Sequence, residues 1–482
     1  DSLSPLPNSW VSPVGPVTPV DDRLFLDIVN EVRLAIKDGV YPERIQKGSS
    51  GSYFCKNRDG KIVGVFKPKN EEPYGTMNPK WTKWFQKTCL PCCFGRSCLV
   101  NGAGYLSEAC ASYIDRRLGL GVVPRTEVVL LASPTFFYTW YEKWLYVRGI
   151  RPLPLKVGSF QLFLNGFKDA TTFFKDGYDA ALQTTNAPPS ESTLLRSDSD
   201  VSLSSPAHPC NWSPKTQLEF QAGFERLVVL DYLIRNTDRG MDNWMIQYRE
   251  TTPSPLEPSS SSTTLQIDTD PDQHQPPTPS DTSSIHVAAI DNGLAFPFKH
   301  PDRWRAYPYG WSYLPIARVP FSKSTRELVL YSLTSQDWWT ETMRGVERIM
   351  RIDDAFEEAV WRRQKGVMRG EGYNLAEVLR RSAVSGGNAG IAGGGGEGWS
   401  GSPWELVRRP VVAVYEEVEE SDEEEGDGWT DRSALIGAGI LGGRGDGEER
   451  RGGVLEGMRR FRRRVRQRFE TFTRSQPFFQ HF

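Results

Sequence analysis

Glu225 to Tyr248 reads ERLVVLDYLIRNTDRGMDNWMIQY, and its pattern limits what the chain can fold into. A dense apolar run (Leu227, Val228, Val229, Leu230, Leu233, Ile234) leads into nine polar or small residues, Arg235 to Asn243. The chain turns apolar again at Trp244, Met245 and Ile246. Core-forming flanks of this kind hold a short loop rigidly, and chemistry concentrates on loops fixed to a rigid scaffold. Asp238 and Asn243 show the Asp-x-x-x-x-Asn spacing of a kinase catalytic loop, in which Asp engages the acceptor hydroxyl and Asn a metal ion. A polar connection between two buried elements has the same pattern, so the remaining chain must decide.

Composition narrows the field. The 482 residues include 44 Gly and 34 Pro in clusters, which leaves roughly 300 residues for a packed core, enough for a two-lobed enzyme. A formal net charge of -2 speaks against a nucleic-acid partner. No apolar run approaches the roughly 18 residues of a spanning helix, and the Pro/Ser-rich, acidic start does not read as a signal peptide. The seven cysteines are odd in number and bunched, unlike a secreted disulfide framework, and fit a reducing compartment.

A short amphipathic helix is predicted over 21–37, where Leu24, Ile28, Val32 and Ile36 recur every four residues. Gly48, Ser49, Ser50, Gly51 and Ser52 then precede a predicted hairpin: Tyr53-Phe54, a turn at Asn57 to Gly60, and Ile62 to Pro68. A Gly/Ser turn lets backbone N–H groups approach phosphate oxygens, and Lys67 on the second strand can reach the α- and β-phosphates. A plain hairpin with an exposed lysine accounts for the same residues. Gly104 to Leu118 reads as a helix supplying an acidic partner for that lysine, Glu108 first and Asp115 second. Val122 to Leu131 reads as a strand, Ala132 to Leu155 is aromatic and basic with little periodicity, and Gly158 to Gly166 is a short apolar run. Thr216 to Ile234 is an apolar helix delivering the polar loop. Ile285 to Phe296 is a buried strand ending in Asp291-Asn292-Gly293, where a kinase places its metal-binding aspartate. Five weak signals thus fall in kinase order.

Other segments point to a surface. Lys80, Lys83 and Lys87 alternate with Trp81, Trp84 and Phe85 ahead of Cys89, Cys92, Cys93 and Cys98. Four thiolates suffice for structural zinc, but adjacent cysteines do not easily share one tetrahedron, and no histidine is near. S-acylation at a membrane fits better, with Trp as interfacial anchor; buried free thiols are the plain alternative. His300 to Phe321 reads as a substrate-side loop with a membrane-facing tip, or as an aromatic loop packed on the C-lobe. Beyond Ser382 the chain is Gly-rich, then carries nine acidic residues between Glu416 and Asp427, then seven arginines from Arg459 to Arg468. Phe461, Val465, Phe469 and Phe472 share one helical face there, which reads as a membrane-surface helix or as a partner for the acidic run.

QKGSSGSYF, VFKPKNEEPYGTMNPKWTKWFQK, CFGRSCLVNGAGYLSEA, VPRTEVV, KVGSFQLFLNGFKDA, FERLVVLDYLIRNTDRGMDNW and AAIDNGLAFPFKHPDRWRAYPYGW together resemble a type II phosphatidylinositol 4-kinase of the fungal kind. The resemblance covers 21–380 without the low-complexity insertions. It implies an α+β, bilobal, protein-kinase-like fold, with a β-rich N-lobe (21–165, holding the Cys segment 89–98) and a mainly helical C-lobe (166–381, insertions 186–215 and 249–284). A disordered lead-in (1–20), a Gly-rich and acidic linker (382–457) and a basic amphipathic tail (458–482) flank them. The implied reaction moves the ATP γ-phosphoryl to the 4-hydroxyl of phosphatidylinositol, with Mg²⁺.

Carried over by position, Gly48 to Ser52 form the nucleotide loop and Lys67 contacts the phosphates. Gln161, Leu162, Phe163 and Leu164 form the hinge. Asp238 orients the acceptor hydroxyl with Arg239 beside it, and Asn243 and Asp291 hold the metal. The family's acylated Cys-Cys-Pro-Cys-Cys reads Cys89-Leu90-Pro91-Cys92-Cys93 here, one cysteine short. Trp304 matches a membrane-inserting tryptophan and Arg305 follows it. The implied partner is phosphatidylinositol in the cytosolic faces of vacuole, endosome, Golgi or plasma membrane, reached peripherally; the tail would bind acidic lipids or proteins. A silent kinase-fold scaffold and a protein kinase are the other readings. Lys67, Asp238, Asn243 and Asp291 argue against the first, and the lack of His-Arg-Asp, Asp-Phe-Gly and Ala-Pro-Glu against the second.

Overall fold

The computed structural model describes residues 22–46, 51–72, 98–185, 212–249, 283–299, 307–385, 401–409, 412–419 and 464–471. Helix α1 (Asp22–Lys37) buries Phe25, Val29, Val32 and Ala35. The buried stripe is therefore rotated from the predicted one, because Phe25 rather than Leu24 meets the sheet, edge-on to Phe160 at 5.9 Å. Strands β1 (Glu43–Arg44), β2 (Tyr53–Lys56) and β3 (Ile62–Pro68) follow, with the predicted turn between the last two. Then come α2 (Gly104–Leu118), β4 (Thr126–Leu131), α3 (Trp140–Val147) and β5 (Lys156–Leu162). Among the described residues these strands form a five-stranded antiparallel sheet in the order β1-β2-β3-β5-β4. Tyr53, Cys55, Phe66, Leu131 and Phe160 pack with α1 into the N-lobe core.

Strand β4 starts four positions later than predicted, and the reason lies in α2. Val122 and Val123 donate their N–H groups to Asp115 Oδ1 at 2.9 and 3.2 Å, and Pro124 has no N–H to give a ladder.

The C-lobe opens with β6 (Lys168–Asp169) and α4 (Ala170–Thr185), followed by α5 (Pro214–Leu233). Helix α5 is capped by Ser213, whose side chain accepts from Thr216 N, and Phe220, Phe224, Leu227, Val228 and Leu230 lie in the larger core. Strands β7 (Trp244–Arg249) and β8 (Ser284–Ala289) pair with β6 in the order β6-β7-β8. The register Trp244↔Ala289 sets the end of the polar loop against the approach to Asp291. Helices α6 (Lys323–Thr334), α7 (Gln336–Met350), α8 (Glu358–Ser385) and α9 (Pro403–Arg408) complete the lobe.

Tyr309 and Trp311 are buried and stacked at 4.8 Å. This part of the aromatic loop packs on the C-lobe, while Trp304 and Arg305 lie outside the described residues. Val414–Glu470 is a second unit; β9 (Val412–Glu419) and β10 (Arg464–Thr471), which fall in it but for their outermost residues, pair with each other. The helical face predicted there is thus not formed. Arg464, Arg466 and Arg468 alternate with Val465, Gln467 and Phe469, a period of two that suits a strand, and the acidic strand is its partner. Structure also appears at 403–408 and 412–419, where the linker was expected to have none. No described helix is long and apolar enough to cross a membrane.

Candidate active site

Lys67 is placed by β3 opposite Ser159 of β5, and its ammonium points to α2. Nζ lies 2.5 Å from Glu108 Oε1 and 3.0 Å from Asp291 Oδ1. Burial pulls the lysine pKa down, but the two carboxylates outweigh it and hold the group firmly protonated. Glu108, the first of the two acids expected for this pairing, is therefore the partner. Asp115 holds the turn after the helix instead.

Helix α2 is aimed by a residue that periodicity gave no reason to notice. Glu72 accepts from the Gly104 and Tyr105 N–H groups, the first at 3.0 Å, a carboxylate on free donors at a helix N-terminus. Burial raises its pKa to about 7 against those hydrogen bonds. Its neighbour Glu71 is fully buried, taking Tyr53 OH at 2.6 Å, Lys156 Nζ at 2.9 Å and Phe137 N–H at 3.0 Å. Its carbonyl accepts the Gly51 N–H at 2.9 Å. A Cβ on Gly51 would lie 2.5 Å from Glu71 Oε2 and 2.7 Å from Glu71 Cβ, so the Gly/Ser turn requires glycine there. Ser52 is buried beside it; Gly48, Ser49 and Ser50 lie outside the described residues.

The expected hinge is partly used up by the fold. Leu162 N–H donates to Arg125 O at 3.0 Å and Phe163 N–H to Val63 O at 3.1 Å, so neither can donate to a bound base. Gln161 Nε2 is tied to Thr126 Oγ1 at 3.1 Å. Leu164 lies two positions past the strand, which ends at Leu162.

The polar loop is knitted to the Asp291 segment from both ends. Thr237 N–H and Oγ1 donate to Leu294 O at 2.9 and 2.8 Å, and Phe296 N–H donates to Ile234 O at 2.9 Å. Ile290 N–H donates to Asn243 O at 3.2 Å. Inside the loop, Asn236 Oδ1 takes the Asp238 N–H at 2.9 Å. Asn243 Nδ2 donates to Asp238 O at 2.7 Å, which leaves the Asn243 amide oxygen turned away from that bond. Asp238 and Asn243 are half-buried and Asp242 is exposed. Asp291 has φ 54°, a left-handed conformation that costs roughly 1–3 kcal/mol outside glycine and persists at functional sites; its side chain is half-exposed.

Arg239 is different in kind. It is completely buried, with Nε 2.8 Å from Asp231 Oδ1. Its other nitrogens donate to Asn243 O, Ile290 O and Asn292 Oδ1. One guanidinium thus binds α5, the polar loop and the Asp291 segment together, while Trp311 Nε1 donates to Asp231 Oδ2 at 3.0 Å.

A profile of the phosphatidylinositol 3- and 4-kinase family matches residues 48–356. The chain belongs to that family. Among curated relatives, phosphatidylinositol 4-kinase type 2-beta of Danio rerio is 43% identical over 410 residues, 82% of this chain and 69% of the relative. Phosphatidylinositol 4-kinase type 2-alpha of Danio rerio is 45% identical over 376 residues, 75% of this chain and 74% of the relative. The mouse type 2-beta protein is 42% identical over 411 residues, 82% and 74% of the two chains.

The family kinase-like fold accounts for the sheet-rich N-terminal part and the helical C-terminal part. Cys89, Cys92 and Cys93 lie outside the described residues; Cys55 and Cys110 are buried free thiols, and Cys98 is buried. Glu71, Glu72, Asp231, Asn236 and Asn292 are the supporting residues that sequence reasoning missed. A carboxylate inside an apolar run, as at Asp231, was the one signal on offer.

Proposed function

We propose that the chain is a lipid kinase that transfers the γ-phosphoryl of ATP to the 4-hydroxyl of phosphatidylinositol. The observation that carries this is the convergence of Lys67, Glu108 and Asp291 beside a loop that presents Asp238 and Asn243. Phosphoryl transfer passes through a loose transition state, so the protein contributes position and charge rather than covalent chemistry.

Lys67 supplies the positive charge for the phosphates, and Glu108 holds it in place. Asp238 orients the inositol hydroxyl and accepts its proton, and a positioned base of this kind contributes roughly 10²–10⁴-fold. Leu164 and the carbonyls around it are left to meet the adenine. Arg239 acts as a positioning residue, since it has no exposed surface.

The Asn243 amide oxygen and the Asp291 carboxylate are hard oxygen donors that fit Mg²⁺, which keeps waters and substrate phosphates in its shell and needs few protein ligands. Among the described residues no group of three or more His, Cys, Asp or Glu could hold a metal unaided. When bound with ATP, Mg²⁺ neutralises charge on the phosphates.

Acylation at Cys89, Cys92 and Cys93 would keep the enzyme on its substrate membrane, because one acyl chain alone binds marginally. Trp304 and Arg305 would meet the bilayer, on cytosolic faces of endosomal, vacuolar, Golgi or plasma membranes. The test is an assay of the full chain with ATP, Mg²⁺ and phosphatidylinositol vesicles. Formation of the 4-phosphate, lost in Asp238→Asn, is expected; a wild type that makes none overturns the proposal.

A further inference from the structure

Between β4 and β5 the chain leaves the N-lobe and returns, and the excursion exposes an unusual set of side chains. Helix α3 buries no residue at all. Trp140 is 78% exposed, Tyr141 60%, Val147 82% and Ile150 58%, with Trp144 and Tyr146 also open to solvent. Trp140, Trp144 and Val147 fall at i, i+4 and i+7, one side of a helix, and Tyr141 stacks on Trp144 at 6.3 Å. An exposed cluster of this kind on a folded protein marks an interaction surface.

The helix is nonetheless rigidly built. Thr139 and Glu142 form a reciprocal capping box. At its base Phe136 and Tyr138 are buried, Tyr138 OH donates to Pro154 O at 3.0 Å, and Phe137 N–H donates to Glu71. The aromatic face is therefore held out from the lobe by its own root.

Charge identifies the partner. Glu142 is the only carboxylate between Thr139 and Arg151 and is used in the cap, whereas Lys143, Arg148 and Arg151 pair with no carboxylate among the described residues. Arg148 lies over the Trp144 ring at 5.6 Å. Trp and Tyr beside Lys and Arg are the composition of a membrane–water interface, where amphipathic rings sit at headgroup depth and cations meet anionic lipid.

We propose that Thr139–Arg151 is a membrane-contact surface that seats α3 in the interface of an anionic bilayer. It rests on the lipid-kinase reading, which puts the substrate in such a bilayer. It adds a contact separate from the cysteine segment and from Trp304, and its root is pinned by Glu71 of the N-lobe. The bilayer end of the N-lobe is thereby set by folded structure as well as by acyl chains.

Hydrogen–deuterium exchange of the full chain should show 139–151 protected by phosphatidylcholine vesicles containing phosphatidylserine, and less by phosphatidylcholine alone. Trp140→Ser/Tyr141→Ser/Trp144→Ser should weaken vesicle partition by about tenfold or more and raise KM for vesicular phosphatidylinositol. Its kcat on a soluble short-chain phosphatidylinositol should be unchanged, because none of these side chains is buried. Absence of protection, or wild-type partition by the triple variant, overturns the proposal. So does a concentration-dependent dimer that the triple variant abolishes, since that would assign the face to a second copy. If no phosphatidylinositol is phosphorylated but 139–151 is still protected, the lipid-kinase reading fails and the surface stands.

Discussion

Lys69 Nζ lies 2.9 Å from the Asp353 carboxylate and joins the end of β3 to the turn after α7. Tyr105 of α2 donates its hydroxyl to the same carboxylate at 3.1 Å, so strand, helix and C-lobe meet at one acid. Burial alone would raise the Asp353 pKa, but the lysine, the Ala355 N–H and Tyr105 together hold it below 3.8. Its contribution to stability is therefore present above that value and lost as pH falls through the folded pKa. Asp353→Asn should cost about 1.5–3 kcal/mol at neutral pH, the worth of hydrogen bonds to a charged group. The deficit should shrink in acid. Urea unfolding at several pH values, with Lys69→Met in a double-mutant cycle, checks both points; additive effects would dissolve the link.

Glu108 offers a cleaner separation of activity from folding. One of its oxygens holds Lys67 at 2.5 Å, and the other is buried with no hydrogen-bond partner among the described residues. Glu108→Gln keeps the shape and an oxygen for the lysine but removes the charge that positions it. A kcat drop of roughly 10²-fold is expected, the scale of losing one electrostatic support at the transition state, with little change in melting temperature. An equal fall in both quantities would show that the pair serves folding instead.

What the sequence revealed and what it hid divide along a physical line. Lys67, Asp238, Asn243 and Asp291, which the fold brings into contact as Lys67 with Asp291 and Asn243 with Asp238, were legible as candidates because kinase chemistry fixes residue type and spacing along single loops and strands. Helices 104–118 and 214–233 were legible because their apolar faces repeat over several turns. Glu71 and Glu72 were hidden because their work is done on partners far away in the chain, such as Lys156 and Tyr105. The expected hinge illustrates a subtler gap: position pointed to 161–164, but only the folded backbone shows that the Leu162 and Phe163 N–H groups are already taken. Strand β10 was misread because arginine-rich sequence with spaced phenylalanines satisfies a period of 3.6 and of 2 almost equally. Pairing with β9 decides between them.

Asp115 predicts an unusual pH response. Burial pushes its carboxyl from 3.8 up to about 7, against the Val122, Val123 and Gly121 N–H groups and Arg116. Between those two values the folded protein binds a proton that the unfolded chain does not, so this group's contribution to stability falls as pH rises through the window. Asp115→Asn keeps an acceptor for the turn and cannot titrate. Comparing wild type with the variant, the wild-type advantage should decline from pH 4 to pH 7 and then level off. Parallel unfolding profiles across that range would exclude the effect.

Arg239 and Asp231 carry the strictest test of how the polar loop is held. Both side chains are fully buried, so Arg239→Met strands a carboxylate in the C-lobe core. Losing one partner of a buried pair costs roughly 3–5 kcal/mol because the remaining charge is uncompensated. Burial already raises the Asp231 pKa while Arg239 and Trp311 lower it; without the arginine it rises further. The folded variant then takes up a proton more readily than the unfolded chain, and its deficit should narrow as pH falls from 8 to 5. Asp231→Asn added to Arg239→Met should restore much of the stability. It should not restore kcat, because no guanidinium then ties the Asn243 and Ile290 carbonyls and Asn292 together. Recovery of full activity in the double variant would mean that the loop needs only a neutral interior to keep Asp238 in place.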